Sequence, residues 1–128
     1  MKAQVIIVAL ISLAASWCEA QIVGPAQAGF DLESDVAHGK IDSIQYESST
    51  VGVKRKAIIY TPPGFSKGKK YPVLYLLHGI GGDEREWLRN AKPQIILDNL
   101  YAGKKLEPMI VVMPNGRAMK DDRAGGNV

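Results

Sequence analysis

The residues best suited to chemistry are His78-Gly79-Ile80-Gly81-Gly82, where a histidine precedes three glycines in four positions. Glycine lets the backbone take positive φ and approach a bound group closely. Free backbone N–H groups on such a turn can hold an anion, or the oxyanion that develops during acyl transfer. The amides of Ile80 and Gly81 are the candidate donors, with His78, Gly79 and Gly82 shaping the turn. Trp87 reads as a packing residue that fixes this loop, more than as a ring that stacks on substrate. A second motif is Gly64-Phe65-Ser66-Lys67-Gly68, which spells the G-x-S-x-G of a nucleophile elbow. An elbow needs a buried strand before the serine, a helix after it, and then an acid and a histidine in that order. Here two prolines precede Gly64, Lys69-Lys70-Tyr71-Pro72 leads into a strand, and no acid lies between Ser66 and His78. Ser66 is therefore expected in a surface turn and not as a nucleophile.

The flanking pattern sets the elements that must position the glycine loop. Residues 73–77, Val-Leu-Tyr-Leu-Leu, form a continuous apolar run that predicts a strand buried on both faces, as in a parallel sheet. Asp83 with Glu86 three residues later predicts a capping box opening a short helix over 83–90. Pro93 suits the first turn of a second helix whose apolar side is Ile95, Ile96, Leu97, Leu100 and Tyr101, with Gly103 as its stop. Residues 109–113 are a second continuous apolar run, the next parallel strand, turned by Pro114-Asn115-Gly116. Upstream, 41–50 and 53–61 are rich in β-branched and aromatic residues and predict an antiparallel hairpin. Pro62-Pro63-Gly64 ends it, because proline cannot donate to the ladder. If this pair lies at the sheet's edge, Lys54 and Lys56 would guard against pairing with another chain.

Three segments in this order resemble one family: Ala57-Ile58-Ile59-Tyr60-Thr61-Pro62-Pro63-Gly64-Phe65, the His78 loop, and residues 109–116. Together they look like the amino-terminal part of an α/β-hydrolase, nearest to the feruloyl and acetyl-xylan esterases of carbohydrate esterase family 1. The resemblance implies an α/β fold, an incomplete α/β-hydrolase with an N-terminal antiparallel hairpin followed by parallel strands and helices, ending before the nucleophile elbow. In that fold the loop after the third strand gives one oxyanion N–H and the residue after the nucleophile gives the other. Ile80 or Gly81 would be that first donor, with His78 bracing the turn and not acting as the base, since triad order puts the base last. The strand at 73–77 would lie between the one at 109–113 and a strand leading to the nucleophile. Asn115, Gly116 and Arg117 would border the substrate cleft, although a surface charge is the plainer reading of Arg117. The implied whole protein is a serine carboxylic-ester hydrolase that releases feruloyl or acetyl groups from plant polysaccharide without a cofactor. The nucleophile, acid and base are not in this chain, which is expected to be inactive alone. Two alternatives stay open: another acyl hydrolase or acyltransferase of the same fold, or a non-catalytic secreted binding module.

At 128 residues the chain is short for a complete α/β-hydrolase, which takes about 200 residues or more. Its net charge of +3 comes from lysines scattered beside turns, without the clustering and interleaved aromatics of a nucleic-acid surface. Residues 1–20 read as a secretory leader: Lys2, an apolar core over 5–15, and Cys18-Glu19-Ala20 before Gln21. Cleavage there removes the one cysteine, so no disulfide is expected and no membrane span remains. A secreted or periplasmic location follows, with the oligomeric state left open. Residues 21–40 are expected to be irregular and 41–128 to form the hydrolase portion. Asp31, Glu33 and Asp35 alternate like a calcium loop, but Val36 stands where its glycine belongs. His38 reads as a surface histidine, and no His-Glu-x-x-His or Cys/His set is present, so no metal site is expected.

Overall fold

A computed structural model of the chain describes residue 26 and residues 28–123. The proposed leader and its cleavage site lie outside the described residues. Strands β1 (Lys40–Ser48) and β2 (Val53–Thr61) form the expected hairpin, antiparallel from Lys40 opposite Thr61 to Ser48 opposite Val53. Gly52 reverses the chain at φ +75°, and its N–H donates to Ser48 O at 2.8 Å. Strand β3 (Val73–Tyr75) is followed by helices α1 (Glu86–Asn90) and α2 (Pro93–Ala102), then by strand β4 (Ile110–Pro114). The sheet order is β1-β2-β4-β3, with β4 antiparallel to β2 and parallel to β3. A hairpin thus joins a parallel pair whose connection is helical. This is the mixed α/β arrangement expected.

Period-two alternation places Ile58 and Tyr60 on the same face of β2, directly opposite Met113 and Val111 of β4. These four side chains and Leu97 of α2 make the buried core, with Leu76, Trp87, Leu88 and Tyr101 packed around it. Full burial of side chains this size contributes about 1.5–3 kcal/mol each. Pro93 does open α2, and Lys92 before it takes the left-handed conformation at φ 44°.

A carboxylate interrupts the apolar side of α2. Asp98 is buried and accepts the Tyr60 hydroxyl at 2.6 Å and the Gly39 amide at 2.9 Å. Its other oxygen meets His38 Nδ1 at 3.0 Å, so His38 is half-exposed but tied to α2 and not a free surface histidine. Burial first, and then the hydrogen bond to Asp98, push the Tyr60 hydroxyl well above the ordinary tyrosine range. One side chain thereby fastens a helix to β2 and to the residues that lead into β1.

Two expectations about the sheet are corrected. Residues 73–77 are not buried on both faces: Val73, Leu74, Tyr75 and Leu77 are exposed, Tyr75 at 63%. The reason is position. β3 pairs with β4 on one side, and no described strand pairs with its other side. Lys54 and Lys56 do not guard an edge either, because β2 lies between β1 and β4 and the edge belongs to β1.

Candidate functional site

Beyond Tyr75 the chain leaves the ladder after one more bond, from Leu76 N–H to Val112 O at 2.9 Å. It then enters the glycine loop at the carboxyl ends of β3 and β4. The Trp87 indole donates to Leu77 O at 2.9 Å, anchoring the entry of the loop to α1. Gly82 closes it as a turn, with its N–H donating to Gly79 O at 3.0 Å, and Gly81 takes φ +76°, which glycine permits. The Gly79 amide donates to Glu86 Oε1 at 2.9 Å. The amides of Ile80 and Gly81 make no hydrogen bond among the described residues, and Ile80 is 89% exposed. Two consecutive donors therefore stand free at the tip.

His78 joins the loop to the turn after β4. Gly116 N–H donates to its Nε2 at 3.1 Å, so that nitrogen carries no hydrogen. The proton sits on Nδ1, which donates to Gly79 O at 2.8 Å. Both bonds together require the neutral ring. Next to it, Asn115 is 2% exposed and donates to Glu84 Oε2 at 3.3 Å and to Asp122 O at 2.9 Å. Arg117 is buried as well, and its Nε and Nη2 donate to Gly82 O at 3.4 and 3.2 Å. Of the three residues expected at a cleft rim, only Gly116 is exposed. Asn115 and Arg117 turn inward because their polar atoms satisfy loop carbonyls and a buried carboxylate, and the surface-charge reading of Arg117 is corrected.

The capping box is also corrected. The N-cap of α1 is Arg85 and carries no side-chain capping bond. Asp83 accepts the Arg85 amide at 2.9 Å and pairs with Arg89 at 2.9 Å. Burial draws the Asp83 carboxyl upward, but the Arg89 hydrogen bond, the Arg85 amide and the Arg89 charge outweigh it, leaving the group below its ordinary value. Glu86 is thereby released from the helix start and reaches back to Gly79.

Arg55, not singled out in the sequence, is 1% exposed on the face of β2 away from α2. Its guanidinium donates to Arg117 O at 3.0 Å and to the carbonyls of Met119 and Lys120. The signal was available: Val53, Arg55, Ala57 and Ile59 share one side of a period-two strand, which puts a cation on an apolar face. Ser66 sits in an exposed turn, its N–H donating to the Tyr71 hydroxyl at 3.1 Å. Two clefts lie away from the loop. One of about 480 Å³ is lined by Tyr71, Pro72, Glu107 and Pro108, at the amino ends of β3 and β4. Another of about 290 Å³ lies between Phe30 and the end of α2. Among the described residues no group of three or more His, Cys, Asp or Glu side chains could hold a metal ion.

An endo-1,4-beta-xylanase/feruloyl esterase of Xylanibacter ruminicola is 39% identical over 101 residues, spanning 75% of this chain and 14% of the relative. Among solved structures, a ferulic acid esterase from Anaeromyces mucronatus in complex with ferulic acid gives a TM-score of 0.69. Its identity is 28%, over 80% of this chain and 37% of that one. A serine-to-alanine variant of the feruloyl esterase module from Clostridium thermocellum, complexed with sinapinate, gives a TM-score of 0.62 at 32% identity. That match covers 69% of this chain and 30% of the module. The chain thus spans a minor part of the length of each relative. These solved structures are α/β-hydrolases, and the sheet described above is of that fold. The family model described as Putative esterase matches residues 48–126, and the chain belongs to that family.

Proposed function

We propose that the loop supplies one half of the oxyanion hole of a secreted serine carboxylic-ester hydrolase, through the amide of Ile80 or Gly81. The whole protein would release feruloyl or acetyl groups from plant polysaccharide through an acyl-serine intermediate, without a cofactor. The nucleophilic serine, the histidine base and its acid would be supplied by residues other than those of this chain. His78 is committed to Gly79 and Gly116 through both ring nitrogens, which supports a bracing role and leaves neither free to take a proton from a serine. Arg117 braces the loop through Gly82 O, Asn115 holds Glu84 just beyond it, and Gly116 remains a candidate for the cleft rim. The observation that carries the reading is the pair of unpaired amides at the carboxyl end of a strand, where the family places its first oxyanion donor. The names of the relatives, and the ferulate and sinapinate bound to two of them, support phenolic esters of a xylan as substrate.

Such a pocket is worth about 10²- to 10³-fold in rate for each donor removed. The test compares the full-length protein carrying this chain with the 128-residue chain alone. Ferulate release from feruloylated arabinoxylan, the burst from nitrophenyl acetate and labelling by a fluorophosphonate are followed in both. The full-length protein is expected to show all three and the chain alone none. A full-length protein that cleaves neither ester, or a 128-residue chain that does, would refute the proposal. N-terminal sequencing of the exported protein is expected to begin at Gln21.

A further inference from the structure

The free amides at the loop tip are free because their neighbours are not. Of the four amides from Gly79 to Gly82, the first is held by Glu86 and the last by Gly79 O. A segment with three glycines in four residues has many accessible conformations, and not all of them leave the tip amides open to a ligand. Something outside the loop must select the open one. Glu86 is the side chain that hydrogen-bonds a loop amide, and it does so from the first turn of α1, itself anchored by Trp87 to Leu77 O. Its Oε2 occupies the space a Cβ on Gly82 would need, and its Cδ lies 2.9 Å from that position. The carboxylate therefore hydrogen-bonds one end of the loop and packs against the other.

We infer that Glu86 is a positioning residue for the reaction proposed above, holding Gly79 and Gly82 so that the Ile80 and Gly81 amides are the ones left to meet the oxyanion. This rests on the oxyanion-loop reading. The choice of a carboxylate is informative, because a negative charge near a developing oxyanion works against the reaction. Its geometric contribution must outweigh that repulsion. Arg117, on Gly82 O from the other side, supplies a compensating positive charge.

Two variants separate geometry from charge. Glu86→Gln keeps an oxygen that can accept from Gly79 and removes the charge, whereas Glu86→Ala removes both. In the full-length protein, Glu86→Ala is expected to lower kcat by about tenfold to a hundredfold per fluorophosphonate-titrated site, with KM within about twofold, as for a small misplacement of a catalytic group. Glu86→Gln is expected to stay within about threefold of wild type in both constants. Hydrogen exchange on protein labelled with ¹⁵N-glycine and ¹⁵N-isoleucine gives a readout independent of turnover. Gly79 should exchange more slowly than Ile80 and Gly81 in wild type and in Glu86→Gln, and as fast as they do in Glu86→Ala. An active wild type matched by Glu86→Ala in kcat per site overturns the role of Glu86 and leaves the esterase reading standing. So does a loss that Glu86→Gln fails to rescue. An inactive wild type with Gly79 protected removes the esterase reading, and with it the catalytic meaning of a contact that the exchange data would still establish.

Discussion

Replacing Asp98 with alanine should release α2 from the hairpin, and the cost can be built from its partners. The Tyr60 hydroxyl, 2.6 Å from Oδ1, is buried and would be left without an acceptor. A stranded buried donor costs about 1–3 kcal/mol. The Gly39 amide at 2.9 Å is only partly buried and adds about 1 kcal/mol. His38 is half in solvent, so its contact at 3.0 Å adds about 0–1 kcal/mol. Against these stands the desolvation of a buried carboxylate, which the substitution relieves. A net loss of about 2–4 kcal/mol is expected, a large share of the stability of an ordinary domain. Urea unfolding followed by tryptophan fluorescence should show it as a lower midpoint at unchanged slope. Tyr60→Phe should cost less on its own, and combined with Asp98→Ala should show a coupling of about 1–2 kcal/mol. If Asp98→Ala costs under about 1 kcal/mol, or the two substitutions are additive, the carboxylate is not what fastens the helix.

Three further outcomes can be checked. Burial raises the hydroxyls of both Tyr60 and Tyr101 above the ordinary tyrosine value, so the folded state holds their protons longer than the unfolded chain. Stability should be complete below about pH 10 and fall above it by up to about 1.4 kcal/mol per pH unit for Tyr60 and by less for Tyr101, with a shallower fall in Tyr60→Phe. Gly82→Ala brings a Cβ to 3.1 Å from Gly79 O and against the Glu86 carboxylate; ester hydrolysis by the full-length protein should drop about tenfold or more with little change in melting temperature. The exposed Val73, Leu74, Tyr75 and Leu77, on an edge that no described strand pairs, should make the 128-residue chain self-associate, and Tyr75→Lys with Leu77→Glu should raise its monomer fraction in light scattering. An unchanged association state would show that the edge is harmless.

The elements were legible where one local pattern dominates. β-Branched alternation gave the hairpin, Pro93 the start of α2, and the second apolar run β4, because each of these depends on neighbours a few residues away. The strand at 73–77 was legible as a strand but not as an exposed one, since burial depends on what lies beside it in the sheet. The glycine turn was legible as a loop after β3, with His78 at its entry. The contact of Glu86 was not legible, since its spacing from Asp83 suggests a cap and its carboxylate instead crosses seven residues to Gly79. Asn115 and Arg117 misled for a related reason. Polar residues after a strand usually face water, and only the carbonyls and carboxylate left by the loop and by Glu84 draw these two inward. Asp98 stood on the apolar side of its helix from the start, and a charge there is a request for partners that sequence order cannot name.

The grip of Arg55 on the stretch after β4 has an evolutionary corollary. Among the described residues its guanidinium hydrogen-bonds that stretch through the main-chain oxygens of Arg117, Met119 and Lys120. A carbonyl is the same whichever side chain accompanies it, so Ala118, Met119 and Lys120 are free to drift as far as this contact is concerned. What cannot drift is the number of residues between Pro114 and the three oxygens, because an insertion or deletion would slide them out of the fork. Homologues should therefore vary in the letters of this segment while keeping its length, and keep arginine at the position of Arg55.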